Sequence, residues 1–296
     1  MANFTGVDSL GFDSAANWQM VPEGGWRPID LIEGAGLEVR VAPSGNTVVS
    51  LDEQMGSFGI SRSFTLRAGT TTGNTTLIAG PKDAGPQGHG NPGGRASLDI
   101  SVLKRGTQRL RFYRVKDQAG HAATRPDAAI EPMFRFAANL YSLAANVDLQ
   151  RVGAIETIEL PGNQGEVFWF RPPDVTLLKS KVQLPSADLH VFLMWSIEVD
   201  DPEIGGNVCG FCPKGARMCA IEDDDAHSPG ITSGHTLAHE LGHHFFLSHD
   251  LNNKENLLFF EAKNPATKLT KDQILEINRR AVGGAPAPAP DGAKFR

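Results

Sequence analysis

The feature of this sequence that most constrains its fold is a change of hydrophobic periodicity near residue 128. From about Gly36 to Gly120, apolar and polar residues alternate in short runs such as SFTLR at 63–67 and LDISV at 98–102, with turn-rich segments between them. Alternation with a period of two places every second side chain on one buried face of a strand. Short strands at roughly ten-residue spacing are typical of an immunoglobulin-like antiparallel sandwich. We therefore predict an all-β accessory domain over residues 1–127.

Beyond residue 128 the pattern becomes helical and then mixed. The segment 132–150 places Phe134, Ala137 and Tyr141 at helical spacing. The run LHVFLMWSIEV at 189–199 is apolar almost throughout and predicts a central strand buried on both faces. Strands mixed with helices indicate an α/β or α+β domain, which we expect over residues 128–283. The predicted fold class is thus multi-domain, and the Pro/Ala-rich tail at 284–296 is predicted to be disordered.

Composition excludes several classes of function. The 296 residues include 28 Lys and Arg against 34 Asp and Glu, a formal net charge of -6, so the chain lacks the basic field that binds nucleic acid. It contains no apolar stretch of the roughly 20 residues needed to span a bilayer, and its first residues lack the pattern of a Sec signal peptide. We expect a protein with no nucleic-acid partner and no membrane span. We expect it to be exported by a dedicated secretion system, as an effector, or otherwise to be cytoplasmic.

Three of the five histidines in the segment SGHTLAHELGHHFFLSHD at 233–250, together with its glutamate, have the spacing of a metal site. On a helix, His239 and His243 lie one turn apart on the same face and can bind one metal ion, with Glu240 beside them. His249 supplies a third imidazole from the loop that follows. Three protein ligands with a fourth position open for water are typical of a catalytic zinc site. In such a site zinc lowers the pKa of the water to about 7, and Glu240 accepts its proton as general base.

This pattern resembles the metzincin metallopeptidases, whose motif is HExxHxxGxxH, often followed by Asp or Glu. The resemblance is dense over residues 228–260 and compatible in element order from 130 to 283, and the first 127 residues lie outside it. It implies a twisted, mostly parallel sheet over an active-site helix, a substrate cleft beside an antiparallel edge strand, and endopeptidase activity. By position, it implies that His239, His243 and His249 bind one catalytic Zn²⁺ and that Glu240 is the general base.

The sequence departs from the family pattern at two positions. Phe246 stands at the motif glycine, where the chain turns sharply with a φ angle that a bulky side chain disfavours, so either the turn differs or Phe246 is strained. The family also has a methionine beneath the metal, whereas the last methionine here, Met218, precedes the motif. In the segment ENLL at 255–258, Leu258 takes the methionine position. Its similar volume preserves an apolar floor.

Other residues near the motif are weaker candidates. Glu261 and Glu276 follow the motif as a glutamate ligand would, but without the sequence context of a gluzincin. His235 is either a cleft residue or a capping or packing histidine, and His244 is rotated by about 100° from His243 and points elsewhere. Asp250 either hydrogen-bonds a ligand histidine, locks the turn or faces solvent. The residues 258–260 either wall the pocket for the residue after the cleaved bond, as in the resembling family, or belong to the core.

The three cysteines Cys209, Cys212 and Cys219 are close in sequence and act locally. Their spacing fits a disulfide from Cys219 to Cys209 or Cys212, a structural metal site completed by His227, or free thiols. A disulfide would imply an oxidising destination. The acidic run at 222–225 is expected to be a solvated turn rather than a Ca²⁺ site.

These observations predict a zinc-dependent metalloendopeptidase that hydrolyses peptide bonds through a zinc-activated water. Its partners would be a protein or peptide substrate and a docking partner for the N-terminal sandwich, and we expect a monomer. One alternative is a zinc amidase that acts on peptidoglycan. Another is a binding protein that uses the sandwich and whose helix site is catalytically degenerate.

Overall fold

The protein is described by a computed structural model. Structural statements concern residues 3–5, 17–32, 37–42, 48–53, 61–81, 96–165, 168–169, 171–182, 187–198, 209–223, 233–259 and 266–283. The predicted disordered tail at 284–296 lies outside these residues. None of the helices in this described part combines the length and apolar character needed to cross a membrane.

The chain divides into two compact units. Met1–Arg105 with Ala144–Asn146 forms the first, and Gly106–Leu143 with Val147–Arg296 forms the second. The periodicity predicted a boundary near residue 128, but the division falls after Arg105. The reason is the strand at Gly106–Asp117, which alternates like its predecessors but pairs only with strands of the second unit.

The first unit consists of two four-stranded sheets, as its alternating sequence predicts in outline. One sheet has the order β1-β3-β6-β5 and the other the order β2-β8-β7-β4. All pairs are antiparallel except β2 with β8, which is parallel. The inward side chains of both sheets, among them Ile29, Phe64, Leu77 and Ile100, form one buried hydrophobic cluster. The strands are β1 Asn3–Thr5, β2 Trp18–Pro22, β3 Trp26–Ile32, β4 Leu37–Val41, β5 Val49–Glu53, β6 Ser61–Ala68, β7 Gly73–Pro81 and β8 Ala96–Leu103.

The second unit is a mixed α/β layer structure. Its sheet has the order β10-β9-β12-β14-β13, and β11 also pairs with β9. All these pairs are parallel except β13 with β14, so the final strand of the order is antiparallel to the rest. The elements are β9 Gly106–Asp117, α1 Asp127–Ala145, β10 Val147–Arg151, β11 Glu156–Leu160, α2 Pro172–Lys181, β12 Leu189–Met194, β13 Gly210–Phe211, β14 Met218–Glu222, α3 Ser233–His244 and α4 Lys271–Val282.

Both faces of this sheet are covered, which explains the continuous apolar run of its central strand. Every residue of β12 is buried, as the sequence predicts, but the strand ends at Met194 and Trp195 is 44% exposed, so the predicted strand at 189–199 was too long. On one face, Tyr113, Phe192 and Ala220 pack with Leu178 of α2. On the other face, Phe112 meets Phe134 of α1 edge to face. A parallel strand covered on two sides needs apolar residues at consecutive positions, not at alternate ones.

Helix α4 begins with a defined cap. Thr270 is its N-cap and accepts a hydrogen bond from the backbone N–H of Gln273, while the Gln273 side chain accepts one from the backbone N–H of Thr270. This reciprocal pair is a capping box, which satisfies two backbone donors at the helix start.

Candidate metal centre

Helix α3 carries the motif and is anchored inside the second unit. Every described side chain of the helix is buried except that of His239, which is half-buried. The hydroxyl of the buried Tyr141 donates a hydrogen bond to the Ala238 carbonyl at 2.7 Å. A Cβ atom on Gly234 would lie 2.7 Å from the Phe136 side chain, so a residue without a side chain is needed there. These contacts fix the helix against α1 at both its beginning and its middle.

The turn after α3 reverses the chain and returns it to the helix. Leu247 N–H donates to Gly242 O at 3.0 Å and Phe246 N–H donates to His243 O at 2.8 Å. This pair of bonds defines a Schellman motif, which normally has glycine at the left-handed position. Here that position is Phe246, with a φ of 69°. The turn is therefore made in the usual way, and Phe246 adopts the strained conformation.

The Phe246 ring is held from two sides. A Cβ atom on Gly215 would lie 2.1 Å from the ring, so only glycine allows this approach, and the Arg280 guanidinium lies 3.9 Å from the ring centroid. Gly215 N–H also donates to His243 O at 3.0 Å. A left-handed residue with a side chain costs about 1–2 kcal/mol, and the packing of the ring offsets this cost.

The structure brings the Nε2 atoms of His239, His243 and His249 close to one another. The three Nε2 atoms are 3.2 Å apart for His239 and His243, 3.3 Å for His239 and His249, and 3.1 Å for His243 and His249. His249 reaches the helix because the turn at Phe246 directs the following loop back along it. Within the described residues, these three form the one group that could hold a metal ion.

Hydrogen bonds to carbonyl groups orient two of these rings. His239 Nδ1 lies 2.8 Å from Leu257 O, and His243 Nδ1 lies 2.9 Å from Leu247 O. A carbonyl only accepts, so each Nδ1 carries the proton and each Nε2 presents its lone pair to the common point. Burial lowers the pKa of His243 to about 4, with smaller contributions from His249 and Lys214. Burial also lowers the pKa values of His239 and His249, so all three are neutral at pH 7, as ligands must be.

Glu240 lies on the same helix in a buried position facing β13. A Cβ atom on Gly210 would lie 2.9 Å from Glu240 Oε1, so the strand passes directly against the carboxyl group. The backbone N–H of Cys212 donates a hydrogen bond to the carboxylate, while burial raises the pKa of Glu240 to about 8. Oε2 has no hydrogen-bond partner among the described residues. A buried carboxyl group with an unused oxygen and a raised pKa is a candidate acid–base group.

The segment 256–258 forms the floor beneath the histidines. Leu258 is fully buried, and its side chain lies against Gly242, where an added Cβ would come within 2.9 Å of it. Asn256 fixes the segment, because its Oδ1 accepts from Leu258 N–H at 2.9 Å. The leucine therefore occupies an apolar floor position below the motif helix. Phe259 is also buried, whereas Phe260 lies outside the described residues.

The remaining candidates near the motif have structural partners. His235 is buried and its Nε2 lies 2.6 Å from Ala266 O, which fits a packing histidine. His244 points to the sheet, where Nδ1 meets Ala216 O and Nε2 meets Gln108 Oε1. Asp250 Oδ1 accepts from the backbone N–H groups of Asn252 and Asn253 and locks the turn.

The alternative glutamate ligands and the acidic run do not join the triad in the described residues. Glu276 is occupied by ion pairs with Arg279 and Arg280, and Glu261 lies outside the described part of the chain. The predicted solvated turn is wrong for the first two residues of the acidic run. Glu222 is buried at the end of β14, and Asp223 has a buried side chain that forms an ion pair with Arg125 at 3.1 Å. Asp224 and Asp225 are outside the described residues.

The cysteines show neither a disulfide nor a metal group in the part of the chain that is described. Cys212 and Cys219 are buried thiols. His227, the fourth ligand required by a structural metal site, lies outside the described residues.

Sequence reasoning missed two contributors to the site. Lys214 lies in the loop after β13, its Nζ is 2.6 Å from Ser248 Oγ, and its charge lowers the pKa values of His243 and His249. Gly215 supplies the space for Phe246. Both lie far from the motif in sequence, and only the contact of their loop with the turn reveals them.

Comparison with known proteins adds no relative from which function can be argued. No protein-family model matches the sequence, and no curated protein matches it. Among solved structures, the surface layer protein SbsC, domains 1–6, matches 36% of this chain and 13% of its own, with 13% identity and a TM-score of 0.24. The chain thus spans a small part of that protein, and the likeness is too low to support a common fold.

Proposed function

We propose that this protein is a zinc-dependent metalloendopeptidase of the metzincin type. The observation that carries the proposal is the convergence of three histidine Nε2 atoms, 3.1–3.3 Å apart, on the helix that also carries a buried glutamate. Three nitrogens bound at about 2.0–2.1 Å to a tetrahedral zinc ion would lie about 3.3–3.4 Å apart. The site therefore needs almost no rearrangement to hold zinc.

The arrangement of the second unit also supports the proposal. A mostly parallel sheet, an antiparallel final strand β13 and a motif helix following β14 are features that a metzincin-like domain requires. Within the described residues β13 is the last strand of the sheet and passes against Glu240, which supports the pairing of an extended peptide beside the acid–base group. An endopeptidase needs such an extended binding surface, whereas a metal site for a small molecule does not.

The roles of the residues follow from their surroundings. His239, His243 and His249 would hold the ion, and bound zinc would activate water and polarise the scissile carbonyl. Glu240 has one carboxyl oxygen held by the Cys212 N–H and the other unpartnered within the described residues. Burial favours its neutral form, but a zinc ion bound beside it would favour the carboxylate, which can accept a proton from water and pass it to the leaving amine. Leu258 would supply the apolar floor at the position of the family's methionine, since it is fully buried against Gly242.

The first unit is proposed to be an immunoglobulin-like accessory sandwich that docks or presents the substrate. Its two sheets around one core support a stable module. The monomeric state and export by a dedicated system remain predictions from the sequence.

The experiment that tests the proposal combines metal analysis with cleavage assays. We expect about one zinc per chain and zinc-dependent cleavage of casein by the wild type. Glu240→Ala should retain the zinc and the fold but lose cleavage, because it removes the proton acceptor and leaves the ligands. The matched control is Glu159→Ala, which removes an exposed glutamate paired with Lys116 and should cleave normally.

Two outcomes would contradict the proposal. Hydrolysis of purified cell wall with no cleavage of casein would assign the site to a peptidoglycan amidase. A zinc content well below one per chain, with no activity on either substrate, would indicate a binding protein with a degenerate site.

A further inference from the structure

The strand pairing at the end of the sheet places two cysteines opposite each other. Gly210 pairs with Ile221 and Phe211 pairs with Ala220 in the antiparallel β13–β14 ladder. One step further along the same register, Cys212 opposes Cys219. The two buried thiols are hydrogen-bonded to each other, and Cys212 Sγ also lies 3.5 Å from Met218 O.

The type of pairing brings their backbones close together. Glu222 N–H donates to Cys209 O at 2.9 Å, so Cys209 and Glu222 are a hydrogen-bonded pair. Such pairs alternate with non-hydrogen-bonded pairs, so continuing the register beyond Phe211 and Ala220 puts Cys212 and Cys219 at a non-hydrogen-bonded position, for which the Cα separation is about 4.5 Å. A disulfide requires about 4.4–6.8 Å between Cα atoms. The pair meets this requirement without movement of the sheet.

The third cysteine faces the other side of the sheet. Side chains alternate along a strand, so Cys209 and Phe211 share one face while Gly210 and Cys212 share the other. Phe211 packs in the cluster below α2, and Gly210 lies against Glu240. The two disulfides that the sequence allows are therefore distinguished: Cys219 meets Cys212 and not Cys209.

From this geometry we infer that Cys212 and Cys219 are a disulfide-forming site that ties the short strand β13 to β14. The bond would close the loop 213–218, which carries Lys214 and Gly215, both at the turn of the motif helix. It would also fix the backbone of Cys212, whose N–H holds Glu240. The inference concerns only the thiols and does not depend on the metal or on peptidase activity.

The oxidant would be a small disulfide such as oxidised glutathione. One cysteine thiolate attacks it, forming a mixed disulfide and releasing one glutathione thiolate, and the second cysteine then displaces the other glutathione. In sum, two protein thiols lose two electrons and two protons, and one glutathione disulfide becomes two glutathione thiols.

The folded protein should form this bond slowly. Both thiols are buried, and burial raises the pKa of Cys212 well above its usual value, so little thiolate is present in the folded state. Oxidation should be faster during refolding, when the thiols are exposed to solvent.

The test is refolding of the full chain in a glutathione redox buffer, followed by alkylation and tryptic mapping without reduction. Trypsin cleaves after Lys214 and Arg217, so Cys219 leaves in a different peptide from Cys209 and Cys212. We expect the two peptides to be linked, and fragmentation of the linked pair to place the bond at Cys212. The oxidised protein should also melt about 5 °C higher than the reduced protein.

Variants provide the matched comparison. Cys209→Ser should retain both the linked peptides and the shift in melting temperature, whereas Cys212→Ser and Cys219→Ser should lose both. Loss of the link in Cys209→Ser, a bond mapped to Cys209 in the wild type, or full alkylation of all three cysteines after oxidative refolding would overturn the inference. The wild-type map remains decisive even if a buried serine prevents folding.

Discussion

The two units of this protein differ in the kind of polar residue that they bury. In the first unit, the described buried polar residues are all neutral. Among them, Ser101 accepts from Trp18 Nε1 at 2.9 Å and donates to Asn74 at 2.7 Å. In the second unit, they include carboxylates, an arginine and histidines. The first set is Gln19, Thr65, Thr75, Ser101 and Asn146, and the ionisable members of the second are Asp117, Arg125, His190, Glu222, His235, Glu240, His243 and His244.

This difference shows where the fold supports chemistry. Burial of an ionisable group costs free energy unless the group is paired or changes its protonation state. None of the described buried residues of the first unit is ionisable, so this unit has the character of a stable module. In the second unit, four of the buried ionisable residues lie on α3 itself, where desolvation shifts their pKa values. Clusters of this kind mark candidate functional sites.

The largest expected effect follows from removing one of the proposed metal ligands of the second unit. His243→Ala should reduce the zinc content from about one per chain to near zero and reduce peptide cleavage on the order of 10³-fold, because the metal supplies several kcal/mol of transition-state stabilisation. Metal analysis and an assay on casein measure both. His121→Ala, which changes a partly exposed histidine paired with Asp117, is the control and should keep its zinc. Equal zinc loss in both variants would contradict the assignment.

The next largest effect is expected from creating a matched cavity in the core of each unit. Leu193→Ala in β12 and Leu66→Ala in β6 each remove a fully buried leucine and should destabilise their units by about 2–5 kcal/mol. Only Leu193→Ala should also weaken zinc binding, because β12 lies in the sheet that supports the motif helix. Urea unfolding and zinc titration measure the two effects. A fall in zinc affinity in Leu66→Ala as large as that in Leu193→Ala would remove the distinction between the units.

Acid should weaken the second unit through His190. Burial lowers the pKa of this histidine from 6.5 to about 4, with further contributions from Arg111 and Arg217. The unfolded chain binds the proton first, so stability is complete above pH 6.5 and falls as the pH decreases toward 4, by about 3 kcal/mol in total. Unfolding free energies across this range should show the fall. His190→Asn, which cannot titrate there, should show a smaller slope, and an unchanged slope would refute the assignment.

The smallest expected effect concerns the turn at Phe246. Phe246→Gly relieves the left-handed strain but loses the ring contacts, so we expect a net loss of about 1 kcal/mol. Phe246→Ala loses the same contacts and keeps the strain, so it should be less stable than the glycine variant by about 1 kcal/mol. Chemical denaturation of the two variants gives the difference directly. A more stable alanine variant would show that the left-handed conformation is not maintained in solution.

The sequence predicted those parts of the fold that depend on local pattern. The buried strand β12 was predicted from its continuous apolar run, which is a short-range pattern, and residues 189–194 confirm it. The spacing of His239 and His243 likewise depends only on the helical period, and the structure brings both rings to one point.

Features that depend on pairing across the chain could not be predicted. The strand β9 has the same alternation as the strands before it, so its sequence could not show that it belongs to the second sheet and that the boundary lies after Arg105. The parallel pairing of β2 with β8 and the opposition of Cys212 and Cys219 depend on register, which a single sequence does not encode locally.

The left-handed phenylalanine has a consequence for how such chains are found. A sequence pattern that requires glycine at this position after the second histidine selects the residue with the lowest cost in the left-handed conformation. An aromatic residue can adopt the same conformation when a glycine elsewhere in the chain makes room for its ring. In this protein Phe246 adopts the left-handed conformation of the turn, and Gly215 leaves space for its ring. Patterns written as permitted pairs of positions would therefore retrieve sequences that patterns of single letters discard.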